Sequence, residues 1–347
     1  MRDTASAGSD IPTQPNRTRR PTIRDVARAA GVSHGTVSRY LNGGKWVGAE
    51  SSHAISIAIR ETGFRANRVA RSLATGRAGA IGVILTEPQD RLFGDPNYAV
   101  LLSAITSALD RQDRHLILMT ASTEGERARA LDFATDGHVD GVVLLSAAAD
   151  DPMNAALAEC GIPAISCGRI GGDILSSVAA DDRAGARRGV EHLIASGRRR
   201  IAIVTGPADV AGGQDRLTGY AEALEAAGLP FDPELVIAGD WTHASGRIAG
   251  ARLAEGPPID AVFASNDAMA VGVVAAMRAA GRSIPDDVAV VGFDDAGIAF
   301  TCDPPLTTLR QPFATIGAEI VRLVLDPPPS PLALTVPTEL IVRESAP

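Results

Sequence analysis

Hydrophobic and polar positions change their rhythm twice along the 347 residues. Residues 1–20 are rich in Ser, Thr, Pro, Asp and Arg with almost nothing to bury, the composition of a disordered arm. From Ile23 the spacing becomes helical, with Ile23, Val26, Ala27 and Ala30 on one face. Thr22 and Asp25 form a capping box at the start of that helix, and Gly31 supplies a left-handed stop at its end. Ser33 is placed to cap a second helix whose inner face is Val37 and Leu41, broken by Asn42, Gly43 and Gly44. A third helix is predicted from about Ala49 to Thr62, with Ile55, Ala58, Ile59 and then Phe64 facing inward. Helix, glycine turn, helix and supporting helix make the helix-turn-helix plan. Residues 66–76 read as one more short helix, closed by Gly76.

From Ile81 the rhythm changes again. Short apolar runs at 81–85, 116–119, 141–145, 164–166, 201–204, 261–264 and 288–292 alternate with helical patterns such as 98–110, 184–196, 215–227 and 267–280. Buried strands alternating with helices predict parallel α/β sheets, and there are enough of them for two lobes. No stretch approaches the length of a membrane span. The N-terminus, with Asp3, Asp10, Arg17, Arg19 and Arg20, lacks the apolar run of an export signal, so a cytoplasmic chain without a membrane partner is expected.

Charge sharpens this division. The total is −8, which argues superficially against a nucleic-acid partner. Yet residues 1–76 hold twelve Arg or Lys against five Asp or Glu, a net of +7, leaving −15 for the remainder. A basic head on an acidic body is the footprint of a polyanion contact confined to the head. The three cysteines, Cys160, Cys167 and Cys302, have neither disulfide-framework nor zinc-ligand spacing and read as small buried hydrophobes.

The segment TIRDVARAAGVSHGTVSRYLNGG (22–44) strongly resembles the headpiece of the LacI family. NRVARSL (67–73) is similar to that family's hinge helix. GVEHLIASGRRRIAIVTGP (189–207), DRLTGY (215–220), ASNDAMAVG (264–272), VVGFDD (290–295) and PPLTTLRQPF (304–313) resemble its regulatory domain in order and spacing. The resemblance implies a transcription regulator with a disordered arm (1–20), a small all-α helix-turn-helix headpiece (21–65), a hinge helix and linker (66–78), and a two-lobed α/β domain like the periplasmic binding proteins (79–347). That domain would bind an effector and dimerise.

In a helix-turn-helix the second helix presents its N-terminal residues to base edges in the major groove. Here these are His34, Gly35 and Arg39, with Thr22, Ser33, Thr36, Ser38 and Asn42 placed for phosphates or neighbouring contacts. Arg39 can pair bidentately with guanine, and a plain phosphate contact is its competing role. Gly35 costs a helix ~1 kcal/mol relative to Ala but lets a backbone approach closely. On the hinge, Asn67, Arg68 and Arg71 suit DNA contact, and the resemblance makes Leu73 a wedge into the minor groove. The position before Asn67 is Ala66, where the family favours Pro, and GAESSHA (48–54) offers few basic residues to phosphates. A palindromic double-stranded operator calls for a homodimer. A tetramer is not expected, because no leucine heptads follow Arg343.

By the same resemblance the effector contacts are Arg216, Trp241, Asn266, Asp294, Gln311 and Phe313, with Tyr98, Ser146 and Arg169 from the first lobe. These types suit a polyol: Asp294 accepts hydroxyls, Arg216 and Asn266 donate, and Trp241 offers a flat apolar face. Each also has a structural alternative. Asp294 and Asp295 can cap a turn, Arg216 can be an internal ion pair, and Trp241 can be core. Gly168 removes a polar contact the family often has beside Arg169. A sugar-responsive repressor of a carbohydrate-use operon is the resulting expectation. A corepressor-dependent regulator sensing a purine or other metabolite is the alternative, and a sugar-binding protein without a DNA role is more remote. No HExxH, GxxxxGK[ST] or CxxC occurs, and the one GxSxG, GVSHG at 31–35, falls in the turn between two predicted helices rather than after a strand, so no enzyme, cofactor or metal is expected.

Overall fold

The computed structural model describes residues 21–41, 47–64, 77–145, 151–170 and 174–347. The arm, Asn42, the hinge residues Asn67, Arg68, Arg71 and Leu73, and Ser146 lie outside the described residues. The chain divides into two compact units, Met1–Gly76 and Arg77–Pro347.

The first unit contains α1 (Ile23–Ala29), α2 (His34–Leu41) and α3 (Ala49–Thr62). Thr22 begins α1 as its amide and hydroxyl both donate to Asp25 Oδ2, at 2.8 and 2.7 Å. Gly31 and Gly63 take positive φ of 65° each, which glycine adopts without a Cβ penalty. Ser33 caps α2 by accepting from the Thr36 amide at 3.1 Å. Val26, Ala27, Val37, Ile55 and Ala58 form the buried core, with Ile59, Leu41 and Phe64 packed around it. So small a core contributes modest stability.

The second unit is built on two six-stranded sheets. The first has the order β11-β5-β4-β3-β1-β2, from β1 (Ala80–Leu85), β2 (His115–Thr120), β3 (Val142–Leu145), β4 (Ala164–Cys167), β5 (Ser176–Ala180) and β11 (Ala333–Val336). The second has the order β12-β10-β9-β8-β6-β7, from β6 (Ile201–Thr205), β7 (Val236–Ala238), β8 (Ala261–Ala264), β9 (Ala289–Asp294), β10 (Thr307–Arg310) and β12 (Glu339–Ile341). All neighbours pair in parallel except β10 with β12. The helices α4 (Gln89–Gly94), α5 (Pro96–Asp110), α6 (Glu124–Phe133) and α7 (Pro152–Glu159) belong to the first lobe. The second lobe carries α8 (Asp182–Ala195), α9 (Ala211–Ala226), α10 (His243–Glu255), α11 (Asp267–Ala279) and α12 (Gly297–Thr301).

Strands β1, β3, β6, β8 and β9 are buried along their whole length, as expected for sheets covered on both faces. After β5 the chain crosses to α8, whose Ala186, Val190 and Leu193 pack with Phe263 and Phe293 of the second lobe. After β10 it returns to α13 (Phe313–Leu325), whose Ile316 and Ile320 join the first-lobe core. Between β11 and β12 it crosses a third time. The crossings bring Asp182, Gln311 and Phe313 to the junction of the lobes.

Among the described residues no helix is long and apolar enough to cross a membrane, and no group of His, Cys, Asp or Glu is placed to hold a metal ion. The cysteines are free, with Cys302 buried and Cys160 and Cys167 half-buried.

Candidate functional site

A cavity of 190 Å³ lies where the C-terminal ends of strands from both sheets face one another, the usual position of ligand sites in α/β folds. Arg216, Trp241, Asn266, Asp294, Gln311 and Phe313 all line it. So do Tyr98 and Arg169 from the first lobe. The sequence therefore points to one real cavity, but the structure distributes the work inside it differently.

Asp294, at the end of β9, is the buried centre of the site. Its Oδ1 accepts from Gln311 Nε2 and its Oδ2 from Asn97 Nδ2, each at 2.6 Å. Arg216 Nη1 stands 3.8 Å from Oδ1. Burial pushes the Asp294 carboxyl up to about 7; Arg216 opposes that rise, Asp95 adds to it, and the Gln311 and Asn97 bonds oppose it. Behind it Asp267 is fully buried, accepting from Thr308 Oγ1 at 2.6 Å and from the Ala296 amide at 2.8 Å. Burial and then the neighbouring Asp294 hold Asp267 well above the ordinary carboxylate range.

Arg216 is both an internal ion pair and a wall of the cavity. Its Nε and Nη2 reach Asp182 Oδ1 at 2.9 and 2.8 Å, and its Nη1 donates to the Ser265 carbonyl. The guanidinium centre lies 3.7 Å from the Phe293 ring centroid and 5.3 Å from that of Trp241. Stacking and pairing of this kind fix a planar cation rigidly, and few of its five N–H groups are left for a ligand. Burial raises the Asp182 carboxyl above its ordinary value, with Arg216 acting against the rise.

Three of the four non-glycine residues with positive φ among the described residues are here: Trp241 (71°), Asp294 (118°) and Asp295 (58°). Such backbone is held by its surroundings and gathers at ligand sites. Asp295 is locked from outside the cavity, accepting from Arg310 Nε at 2.7 Å and Arg343 Nη2 at 2.5 Å. Asn266 caps α11 and braces Trp241. Arg169 is an exposed rim residue whose Nε and Nη2 grip Asp215 at 3.0 and 2.6 Å. Tyr98 is buried within the first-lobe core as well as lining the cavity.

Sequence reasoning missed Asn97, Glu87, Arg91, Asp95 and Asp182, all of which line the same cavity. Glu87 and Arg91 pair at 2.8 Å, and Arg91 Nη1 donates to the Asp240 carbonyl of the opposite lobe at 2.9 Å. A charged i, i+4 pair resembles a solvated helix face, so nothing local marks it. Asp182 follows another aspartate, Asp181, and adjacent residues rarely share a site. Here Asp181 caps α8 through the Ala184 amide while Asp182 turns to Arg216.

In the first unit Ser33, His34, Gly35 and Arg39 are exposed on α2, and Thr36 and Ser38 are half-buried. Arg39 Nε rests on the Gly35 carbonyl at 3.3 Å. A Cβ on Gly35 would meet only Ser33 Oγ at 3.7 Å, so packing within the described residues does not require glycine there. Thr22 has both donors on Asp25, which makes it first a helix-capping residue.

A helix-turn-helix unit followed by a two-lobed domain with a polar cavity between its sheets defines a ligand-responsive DNA-binding regulator. Residues 22–67 match the model of bacterial regulatory proteins, lacI family, and residues 190–346 that of the periplasmic binding protein-like domain. The HTH-type transcriptional regulator CelR of Thermobifida fusca is 40% identical over 337 residues, covering 95% of this chain and 99% of the relative. A transcriptional regulator CelR–cellobiose complex superposes with a TM-score of 0.74 at 39% identity, over 94% of this chain and 100% of that one. The lac repressor dimer bound to operator and the anti-inducer ONPF superposes with a TM-score of 0.83 at 28% identity, over 94% of this chain and 99% of that one. The chain belongs to the LacI family of transcription regulators, and it is a DNA-binding regulator rather than an enzyme.

Proposed function

We propose that this protein represses a carbohydrate-use operon in the cytoplasm. A homodimer holds a palindromic operator through residues 21–65 and the 66–78 hinge, and it releases DNA when a neutral sugar binds in the cleft of 79–347. The observation that carries this reading is the state of the cleft's charged groups. Arg91, Arg169 and Arg216 are each paired with a carboxylate, while Asp294 remains buried with acceptor capacity in the cavity that Trp241 also lines. A ligand must therefore bring hydroxyl donors rather than negative charge. The likeness to CelR, a structure of which holds cellobiose, favours a β-linked disaccharide of that kind.

Ligand control follows from linkage. A ligand shifts operator affinity only through different affinities for two states of the protein. Closing a cleft between two lobes supplies such states, since closure rotates one lobe against the other. In the proposed dimer that rotation resets the spacing of the two hinges and of the paired Leu73 wedges. Calorimetry against cellobiose, ribose, galacturonate and hypoxanthine, followed by DNA titration with any binder, tests the reading. Binding of cellobiose or ribose with weakened DNA affinity supports it. Tight binding of hypoxanthine with strengthened DNA affinity replaces it with a corepressor mechanism.

A further inference from the structure

Asn97 stands in the first turn of α5, where its backbone amide donates to Asp95 Oδ1 at 3.0 Å. Its side chain reaches across the cleft to Asp294, with Nδ2 2.6 Å from Oδ2. This orientation of the amide is the one that suits the ionised Asp294, because the reverse would press two acceptors together. The other half of the amide is the anomaly. Asn97 Oδ1 is buried and has no hydrogen-bond partner, a costly state for a carbonyl oxygen. Asn97 also lines the cavity.

We propose that Asn97 is the first lobe's specificity residue: its Oδ1 accepts the proton of one ligand hydroxyl while its Nδ2 stays on Asp294. This rests on the sugar reading above and deepens it. A hydroxyl donated to Oδ1 polarises the amide and strengthens the Nδ2–Asp294 bond on its other side. That bond joins α5 of one lobe to β9 of the other, so recognition of the hydroxyl and closure of the cleft are a single event. The same segment provides a second strut, Arg91 to the Asp240 carbonyl. Residues 91–97 thus touch both strained turns of the opposite lobe, at Trp241 and at Asp294.

The geometry selects the ligand's chemistry. With the arginines committed to Glu87, Asp215 and Asp182, Asn97 Oδ1 and the remaining lone pairs of Asp294 are open to a ligand. Both call for donors. A polyol with neighbouring hydroxyls can serve the two at once. A sugar lacking the one hydroxyl leaves Oδ1 without a partner, and such losses discriminate strongly in sites built for hydrogen bonding.

The test uses the full-length protein, cellobiose and its monodeoxy derivatives, read by calorimetry. Asn97→Ala is expected to weaken cellobiose binding about tenfold or more. One monodeoxy derivative is expected to bind wild type just as weakly and to lose nothing further in Asn97→Ala. If the variant binds cellobiose as wild type does, or if every derivative loses equally in both proteins, the proposal is overturned. The carbon-13 titration of the Asp294 carboxyl supplies a ligand-free reading. Loss of the Asn97 donor should raise its midpoint, and an unchanged midpoint rules out the cross-cleft bond. A wild type that binds no sugar in the panel overturns the sugar reading as well; a binding wild type with an indifferent Asn97→Ala overturns this inference alone.

Discussion

Asn266 holds Trp241 in place: its Nδ2 donates to the Trp241 carbonyl at 2.9 Å while its Oδ1 caps α11 by accepting from the Met269 amide at 2.9 Å. A residue that sequence resemblance marks as a sugar contact is therefore also a brace, and it secures a tryptophan whose φ of 71° needs support. Asn266→Ala should remove both bonds. Loss of the cap is expected to cost about 1 kcal/mol of stability, with an additional loss of ligand affinity as Trp241 loosens. Thermal unfolding and Trp241 fluorescence in a Trp46→Phe background measure the two effects. An unchanged Trp241 emission would show that the carbonyl bond does not position the ring.

Trp241 also needs Gly206. A Cβ at that position would overlap the indole ring, since the ring lies directly against the Gly206 backbone. Gly206→Ala should displace Trp241 and weaken effector binding more than tenfold, on the order of 1.4 kcal/mol or more. Operator binding without effector should stay close to wild type. Calorimetry and DNA titration on the same preparation separate the two. Wild-type effector affinity in this variant would remove Trp241 from the binding surface.

On α2, Arg39 and Gly35 are expected to act through different physics. Arg39→Ala should cost ~1–3 kcal/mol on the cognate operator and blur base preference, because the guanidinium reads a base edge. In Gly35→Ala the new Cβ makes only an ordinary contact with Ser33 Oγ, so the substitution should stabilise α2 by about 0.5–1 kcal/mol. It should nevertheless weaken DNA binding, because a methyl group there blocks close backbone approach. Titration on cognate and scrambled duplexes, with hydrogen exchange on α2, checks both. Equal loss on the two duplexes for Arg39→Ala would make it a phosphate contact, and stronger DNA binding by Gly35→Ala would end the close-approach reading.

How legible this site was depended on how local its signals are. The run Ile81–Leu85 and the run Ala261–Ala264 announce themselves as buried strands, and both are strands. By contrast β5, Ser176–Ala180, has one β-branched apolar residue, Val178, and β7 and β12 are three residues each. Their pairing is fixed by the neighbouring strands, so no local pattern could reveal them. In the cleft, Asp294 lies within a recognisable motif, VVGFDD (290–295). Asn97 does not: its role exists only because α5 faces β9 from 197 positions away. Arg216 shows a third situation: its ion-pair reading holds through Asp182, and the same guanidinium lines the cavity where a ligand contact is expected.

The Asp294 carboxyl gives the effector response a definite pH dependence. Burial raises it to about 7 in the folded protein against an ordinary value of 3.8. Between those values the folded state holds a proton that the unfolded state has lost. Stability therefore falls as pH rises through that window, the opposite of a salt-bridged aspartate. Asp267, raised by burial and by Asp294, contributes with the same sign. Ligand hydroxyls donate best to the ionised carboxylate, so they bind the form that high pH favours. Effector affinity should accordingly rise from pH 6 to pH 8 and then level, and effector should lower the Asp294 midpoint. In Asp294→Asn the dependence should flatten and affinity should drop, while operator binding without effector stays near wild type. Calorimetry at three pH values on both proteins is the measurement. If wild-type affinity does not change across this range, or if Asp294→Asn retains the same slope, another group sets the response and Asp294 is not the hydroxyl acceptor.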